Sequence, residues 1–343
     1  MAQLPADIVT LQDVSGKWKV VGTNFLLALL LALLFGTSKG ALDNTMEARE
    51  SAVAQKIARF RAWLNGLTSW DLAPLMRKAL VYGLLPLVVI VYGLLFSVLD
   101  PDHSLFGEEA LFLVLSLGLS LGLIELADDL SRWAWARRLR APTSLALHPA
   151  NMFFALFAAG SSRLLALVPG FIVGVPGGVR VDEHQLTNRQ SLLLSVAGWF
   201  GVMVLALLGW FGAGLLAATL GDGGSILGIS APYAHDFLLI LYLAGIEVMF
   251  FQLLPWSGSG GESLYRYNRL WWVVLFAAVS FVAWHTLFNP NGSLIDVFSR
   301  ASVVAVLAVV GAFDVVLLLI WRFSPRSTPT EPDAINPAGT PAR

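Results

Sequence analysis

The chain is expected to fold as an all-α, polytopic integral membrane bundle: about seven transmembrane helices, a re-entrant or broken helical hairpin, and an amphipathic interfacial helix. Three observations lead there. Hydrophobic residues make up 57% of the 343 positions and charged residues only 13%, against the roughly 25% charged that a soluble domain carries. Mean hydropathy is +0.72. The apolar residues gather in runs close to the about 20 residues that a helix needs to cross about 30 Å of hydrocarbon.

Taken in order, residues 1–19 form a leader and residues 20–36 the first transmembrane helix. Lys17 and Lys19 ahead of a leucine-rich run imitate a signal peptide. The long leader carrying Asp7 and Asp13, with no clear small-residue cleavage site after the run, favours a retained helix. Over 40–67, Met46, Val53, Ile57, Phe60 and Leu64 recur among charged residues at helical spacing. That stripe predicts an amphipathic cytoplasmic helix lying on the membrane or against the bundle. A helical membrane domain follows over 79–321, with spans at 79–99, 110–127, 191–220, 237–254, 270–288 and 301–321. The tail 322–343, rich in Pro, Ser and Thr, reads as disordered.

The stretch 145–175 does not fit the ruler. "PANMFFALFAAG" is too short to cross, "SSRLLALV" carries Arg163, and "PGFIVGVPGG" adds two Pro-Gly breaks. Interrupted apolar sequence of this kind suits a re-entrant piece buried among other helices, because irregular backbone facing lipid leaves costly unpaired amides.

Charge distribution sets the orientation. The loop 36–78 holds seven basic residues and 128–144 holds four, whereas 100–109 and 221–236 hold none. By the positive-inside rule the basic loops are cytoplasmic, which places the N-terminus outside and the C-terminus inside. The piece around Arg163 then enters and leaves on the cytoplasmic face, and Lys19 is left outside. An eight-crossing alternative moves Arg180 and Arg189 outside instead. A net charge of −1 argues against a nucleic-acid partner. The absence of cysteine excludes thiolate catalysis, disulfides and Cys-ligated metals. No cofactor is expected.

Ionisable residues inside a membrane are costly, so they are the first candidates for function. Glu247 stands eight residues before Pro255 and Asp314 eight before Arg322. At 1.5 Å per residue both carboxylates lie roughly 12 Å from the cytoplasmic boundary, where Arg163 is the natural counter-ion. A buried charge network that fixes the packing competes with a proton or ion pathway as the reading of this trio. Glu125, Asp128, Asp129 and Arg132 are spaced for intrahelical pairing near an interface, and Trp133 and Trp135 suit the aromatic belt. His285 reads as a hydrogen-bonded helix-end residue. No two histidines stand at i, i+4. The glycine stretch at 258–262 follows no predicted strand and lacks a Lys-Ser/Thr pair, so it reads as a flexible turn and not as a phosphate loop.

Four stretches, "TNFLLALLLALLFGTSKGALDNTMEARE" (23–50), "SSRLLALVPGFIVGV" (161–175), "GIEVMFFQLLPWSGSGGESLYRYNRLWW" (245–272) and "FVAWHTLFNPNGS" (281–293), occur in this order over about 270 residues. Together they resemble the bacterial, largely actinobacterial, membrane proteins of unknown function named for a Phe-Gly-Leu-Leu-Pro motif. Here the motif reads Phe251, Gln252, Leu253, Leu254, Pro255, with Gln in place of Gly. The Leu-Leu-Pro corner is also similar to that of site-2 proteases, whose fold pairs a His-Glu-x-x-His helix with a Leu-Asp-Gly motif. Neither ligand motif is present in this sequence, so that resemblance implies a shared scaffold without the metal.

The resulting expectation is a non-enzymatic multi-pass protein of the bacterial cytoplasmic membrane. Besides the lipid bilayer, its partners would be other membrane or envelope proteins. A small transporter or proton-linked channel using Arg163, Glu247 and Asp314 is the alternative from another class. An inactive protease relative that still binds transmembrane segments is compatible with the first reading. Oligomeric state stays open.

Overall fold

A computed structural model describes residues 10, 13–47, 90–91, 93–95, 107–147, 155–156, 159–161, 164, 177–181, 186–220, 224–226, 229–255, 259–290, 292 and 315. The elements are α1 (Trp18–Glu47), α2 (Glu108–Arg138), β1 (Thr143–Leu147), β2 (Gly177–Val181), α3 (Asn188–Leu220), β3 (Ser225–Ile226), β4 (Ile229–Ser230), α4 (Ala231–Leu253), α5 (Gly260–Tyr267) and α6 (Arg269–Ala283), which runs into a π-helical turn at Trp284–Phe288. The protein is mostly helical. Five helices among the described residues are long and apolar enough to cross a membrane: α1, α2, α3, α4, and α6 with its π-helical turn. Of the other two expected spans, 79–99 is described only at helical positions 90–91 and 93–95, and 301–321 only at 315.

α1, α2, α3 and α6 each carry a buried and an exposed stripe, as helices whose outer face meets lipid do, whereas α4 has no exposed residue. In α2 the outward residues are Leu111, Leu115, Leu119, Leu123, Leu126 and Leu130, while Leu113, Leu117, Leu121 and Ile124 are buried. Both stripes follow helical spacing, so the two faces differ in packing and not in polarity. α3 packs chiefly on α4 and α2, and α1 on α6. Small residues allow the close approach: a Cβ on Gly245 of α4 would lie 2.6 Å from the Ala206 side chain of α3. That is the usual device where apolar surface has no water to escape. Aromatic contacts fill the wider gaps, with Trp210 of α3 stacked on Tyr242 of α4 at 5.3 Å and Phe250 of α4 against Phe276 of α6 at 5.2 Å between ring centroids.

Several expectations are corrected. The first helix does not stop at 36 but continues unbroken through Gly36, Lys39 and Gly40 to Glu47, which overlaps the start of the amphipathic segment 40–67; its remainder, 48–67, lies outside the described residues. The helix that carries the crossing expected at 110–127 continues beyond it to Arg138, so Glu125, Asp128, Asp129 and Arg132 share one helix, as intrahelical pairing requires. The glycine stretch is not a flexible turn throughout: Gly260, Gly261 and Glu262 open α5. Two strand pairs interrupt the all-α expectation. β1 pairs antiparallel with β2 (Thr143 opposite Val181, Leu147 opposite Gly177), and β3 with β4 (Ser225 opposite Ser230).

Helix ends follow local chemistry. α4 starts after Ser230 with proline in its first turn and stops at Leu254 (φ −58°, ψ 134°), because the residue ahead of Pro255 is steered out of the helical region. Asn268 caps α6 by accepting from the Leu270 and Trp271 amides.

Candidate functional site

The Leu-Leu-Pro corner is where separate elements converge. Pro255 ends α4, and after the turn the Ser259 hydroxyl donates to the Leu254 carbonyl at 2.6 Å and accepts from the Glu262 amide at 3.0 Å. Ser259-x-x-Glu262 has the letters of a capping box, a signal for the start of α5 that the glycine-rich composition hides. The Trp272 indole donates to the Leu253 carbonyl at 2.8 Å. The Tyr265 hydroxyl donates to the Gly36 carbonyl of α1 at 3.2 Å. Two carbonyls at the end of α4, those of Leu253 and the capping Leu254, and one from α1 thus receive donors from α6, the α5 cap and α5.

Lys39, with a side chain only 3% exposed, reaches Glu262 Oε1 at 3.1 Å. The same oxygen accepts from Arg266 Nε at 3.1 Å and Nη2 at 2.9 Å. The charged residue that reads in sequence as the end of the first span is therefore held in a buried ion pair with a residue 223 positions away. Phe251 and Gln252 are half-buried and Leu253, Leu254 and Pro255 are buried, so the motif faces inward.

A second cluster lies at the last turns of α2. Asp128 is buried and pairs with Arg132 at 3.7 Å, the intrahelical contact that their spacing predicts. Asp129 instead accepts from the Val179 amide of β2 at 2.7 Å. A Cβ on Gly178 would sit 2.7 Å from Glu125 Oε1 and 2.9 Å from Asp129 Oδ1, so a larger residue there would push these carboxylates aside. Sequence reasoning missed this joint. The glycines of "PGGV" record it, but they also read as a simple break.

At the other end of the bundle a buried polar network ties α1 to the π-helical turn. Asn24 Nδ2 donates to the Asn289 carbonyl at 2.9 Å and contacts His285 Nδ1 at 3.0 Å, while Asn289 Nδ2 donates to Asn24 Oδ1 at 2.8 Å. The backbone carbonyl can only accept, so the Asn24 amide is oriented. Its second hydrogen makes His285 Nδ1 an acceptor, and the ring is then the neutral tautomer protonated on Nε2. One turn away the Tyr242 hydroxyl meets Thr286 at 2.7 Å, and Thr286 donates to the Val282 carbonyl at 2.8 Å. His285 is the hydrogen-bonded helix-end residue that the sequence suggests; Asn24, Tyr242 and Asn289 escaped notice because lone polar residues in apolar runs carry no pattern. Replacing Asn24 by Leu is expected to lower stability by about 2 kcal/mol, since it strands three buried partners at once. Thermal unfolding of the detergent-solubilised protein checks this.

Of the predicted charge trio, Glu247 is 5% exposed in α4, inside the continuous buried run from Leu239 to Met249. Arg163 and Asp314 lie outside the described residues. Among the described residues no group of three or more His, Asp or Glu side chains is arranged to hold a metal. No protein-family model, curated protein or solved structure matches the chain.

Proposed function

We propose that the protein is a non-enzymatic membrane scaffold that docks other membrane or envelope proteins, seated in the bacterial cytoplasmic membrane with its N-terminus outside and its C-terminus in the cytoplasm. One observation carries this reading. The polar groups at the Leu-Leu-Pro corner are engaged in holding α1, α4, α5 and α6 together. Groups committed to tertiary contacts give rigidity, which a docking platform needs. The outward stripes of α2 and α3, including Leu119 and Phe200, offer long apolar faces to lipid and to transmembrane segments alike.

The orientation rests on the ends of the helices. Lys39 at the end of α1 meets Glu262, and α5 begins against Ser195 and Trp199 near the start of α3. Arg132 lies near Gly198, which brings the arginine-rich end of α2 to the same pole. The pairing of β1 with β2 supports re-entry for the segment between them: it returns to the place it leaves, and Ala155 and Ala159 within it are buried in the main core. Because the chain has no cysteine, single cysteines map the topology directly. A membrane-impermeant maleimide should label Ser104→Cys and Ser225→Cys in intact cells, and Ser263→Cys only after lysis. Labelling of Ser263→Cys in intact cells overturns this orientation.

A second reading, a small transporter or proton-linked channel, draws on the burial of Glu247. Reconstituted protein is expected to pass no ions under an imposed gradient, while photo-crosslinkers at Leu119 or Phe200 give a discrete, saturable adduct with one membrane protein. Flux that disappears in a folded Glu247→Gln variant would replace the scaffold with the transporter. An inactive protease-like protein that binds transmembrane segments predicts the same adduct and is a special case of the first reading.

A further inference from the structure

The outward stripe of α2 does not end in another leucine. It runs Leu111, Leu115, Leu119, Leu123, Leu126 and Leu130, then continues at the same spacing into Trp133, 37% exposed, and Arg137. Leu111 to Leu130 spans about 29 Å of helix, the thickness of the hydrocarbon core. Trp133 then falls at the interface, and Arg137, about 10 Å beyond Leu130 along the axis, at the depth of lipid phosphates.

Both arginines at this level are held in place. The Arg137 guanidinium lies 4.5 Å from the centroid of the Trp133 ring, and that of Arg138 lies 5.5 Å from Trp135. Stacking occupies the face of a guanidinium and leaves its N–H edge outward, where it matches a phosphate in two-pronged fashion. Among the described residues neither group meets a carboxylate, although Asp128 and Asp129 stand on the same helix: Asp128 is taken by Arg132 and Asp129 bonds the Val179 amide. The same arrangement recurs at the start of α6, where exposed Arg269 lies 5.2 Å from the Tyr265 ring beside exposed Leu270 and Trp271. Arg137 on the lipid-facing stripe, flanked by Arg138 about 100° round the helix, gives two ring-braced cations that meet no carboxylate among the described residues and are complementary to a lipid anion.

We infer that Arg137 and Arg138, oriented by Trp133 and Trp135, bind the phosphate of an anionic phospholipid. Full-length protein extracted from membranes containing equal phosphatidylglycerol and phosphatidylcholine, then analysed by native mass spectrometry, should retain phosphatidylglycerol preferentially. The variant R137Q/R138Q should lower that retention at least about tenfold, because each guanidinium loses a charge-assisted hydrogen bond to the phosphate. R137K/R138K should remain low, since lysine keeps the charge but not the planar fork. Equal retention of the two lipids by the wild type, full retention in R137Q/R138Q, or full restoration by the lysines overturns the site; the last result would leave only general surface charge. A measurement on the wild type needs no variant to fold. Phosphatidylglycerol brominated near the glycerol end of its chains should quench tryptophan emission more than matching phosphatidylcholine, and equal quenching also overturns the proposal.

Discussion

Replacing Gly261 by alanine is expected to destabilise the protein by about 3 kcal/mol, among the largest effects of any single methyl group added to this chain. The methyl would fall inside van der Waals contact of the Leu253 carbonyl and of Leu254 O. Backbone at a helix end cannot rotate away as a flexible side chain can. Those two oxygens are also the acceptors for the Trp272 indole at 2.8 Å and the Ser259 hydroxyl at 2.6 Å. Making room therefore costs overpacking strain of about 1–3 kcal/mol and weakens two hydrogen bonds worth about 1 kcal/mol each. Because α5 and α6 both hang on this corner, the loss should appear as a lower unfolding midpoint in detergent together with faster proteolysis after Pro255. Gly16, which has open space around it, is the control: Gly16→Ala should change neither.

Glu262→Leu is expected to cost about 3 kcal/mol, measured by the same unfolding transition. Lys39 is 3% exposed and Glu262 12%, and removing the carboxylate takes an ion-pair partner from a buried ammonium, a change that usually costs about 3–5 kcal/mol. The double variant Lys39→Met/Glu262→Leu should recover most of the loss, since a buried ion pair and an apolar pair of similar volume are often of similar stability. A double-mutant cycle isolates the coupling. Arg266→Ala tests the other contact to the same carboxylate. Its side chain is 70% exposed, so only about 0.5 kcal/mol is expected from it.

The membrane helices were legible in the sequence because hydropathy and length are local quantities. The Asp128–Arg132 pair and the helix-end role of His285 were legible for the same reason, being set by spacing and by neighbouring stop signals. What escaped depends on residues far apart in the chain. Lys39 lies beyond the expected span 20–36, yet α1 passes through it, with Glu262 receiving its charge. β1 and β2 are five residues each and too short to announce themselves; their register depends on each other and on the Asp129 carboxylate of a third element. Ser259 and Glu262 were readable as a capping box, but the surrounding glycines pointed to a turn. Of the proposed trio, Glu247 is buried as an intramembrane carboxylate would be, and Arg163 and Asp314 fall outside the described residues.

The β1–β2 ladder, braced on Asp129, fastens positions 147 and 177 side by side. Loop-closure entropy grows only with the logarithm of length, about 0.6 kcal/mol for each doubling. The stretch from 148 to 176 is thus closed at its base at a cost that depends little on its length. An insert of different size between these two anchors leaves the ladder intact, provided that Ala155 and Ala159 keep their places in the core.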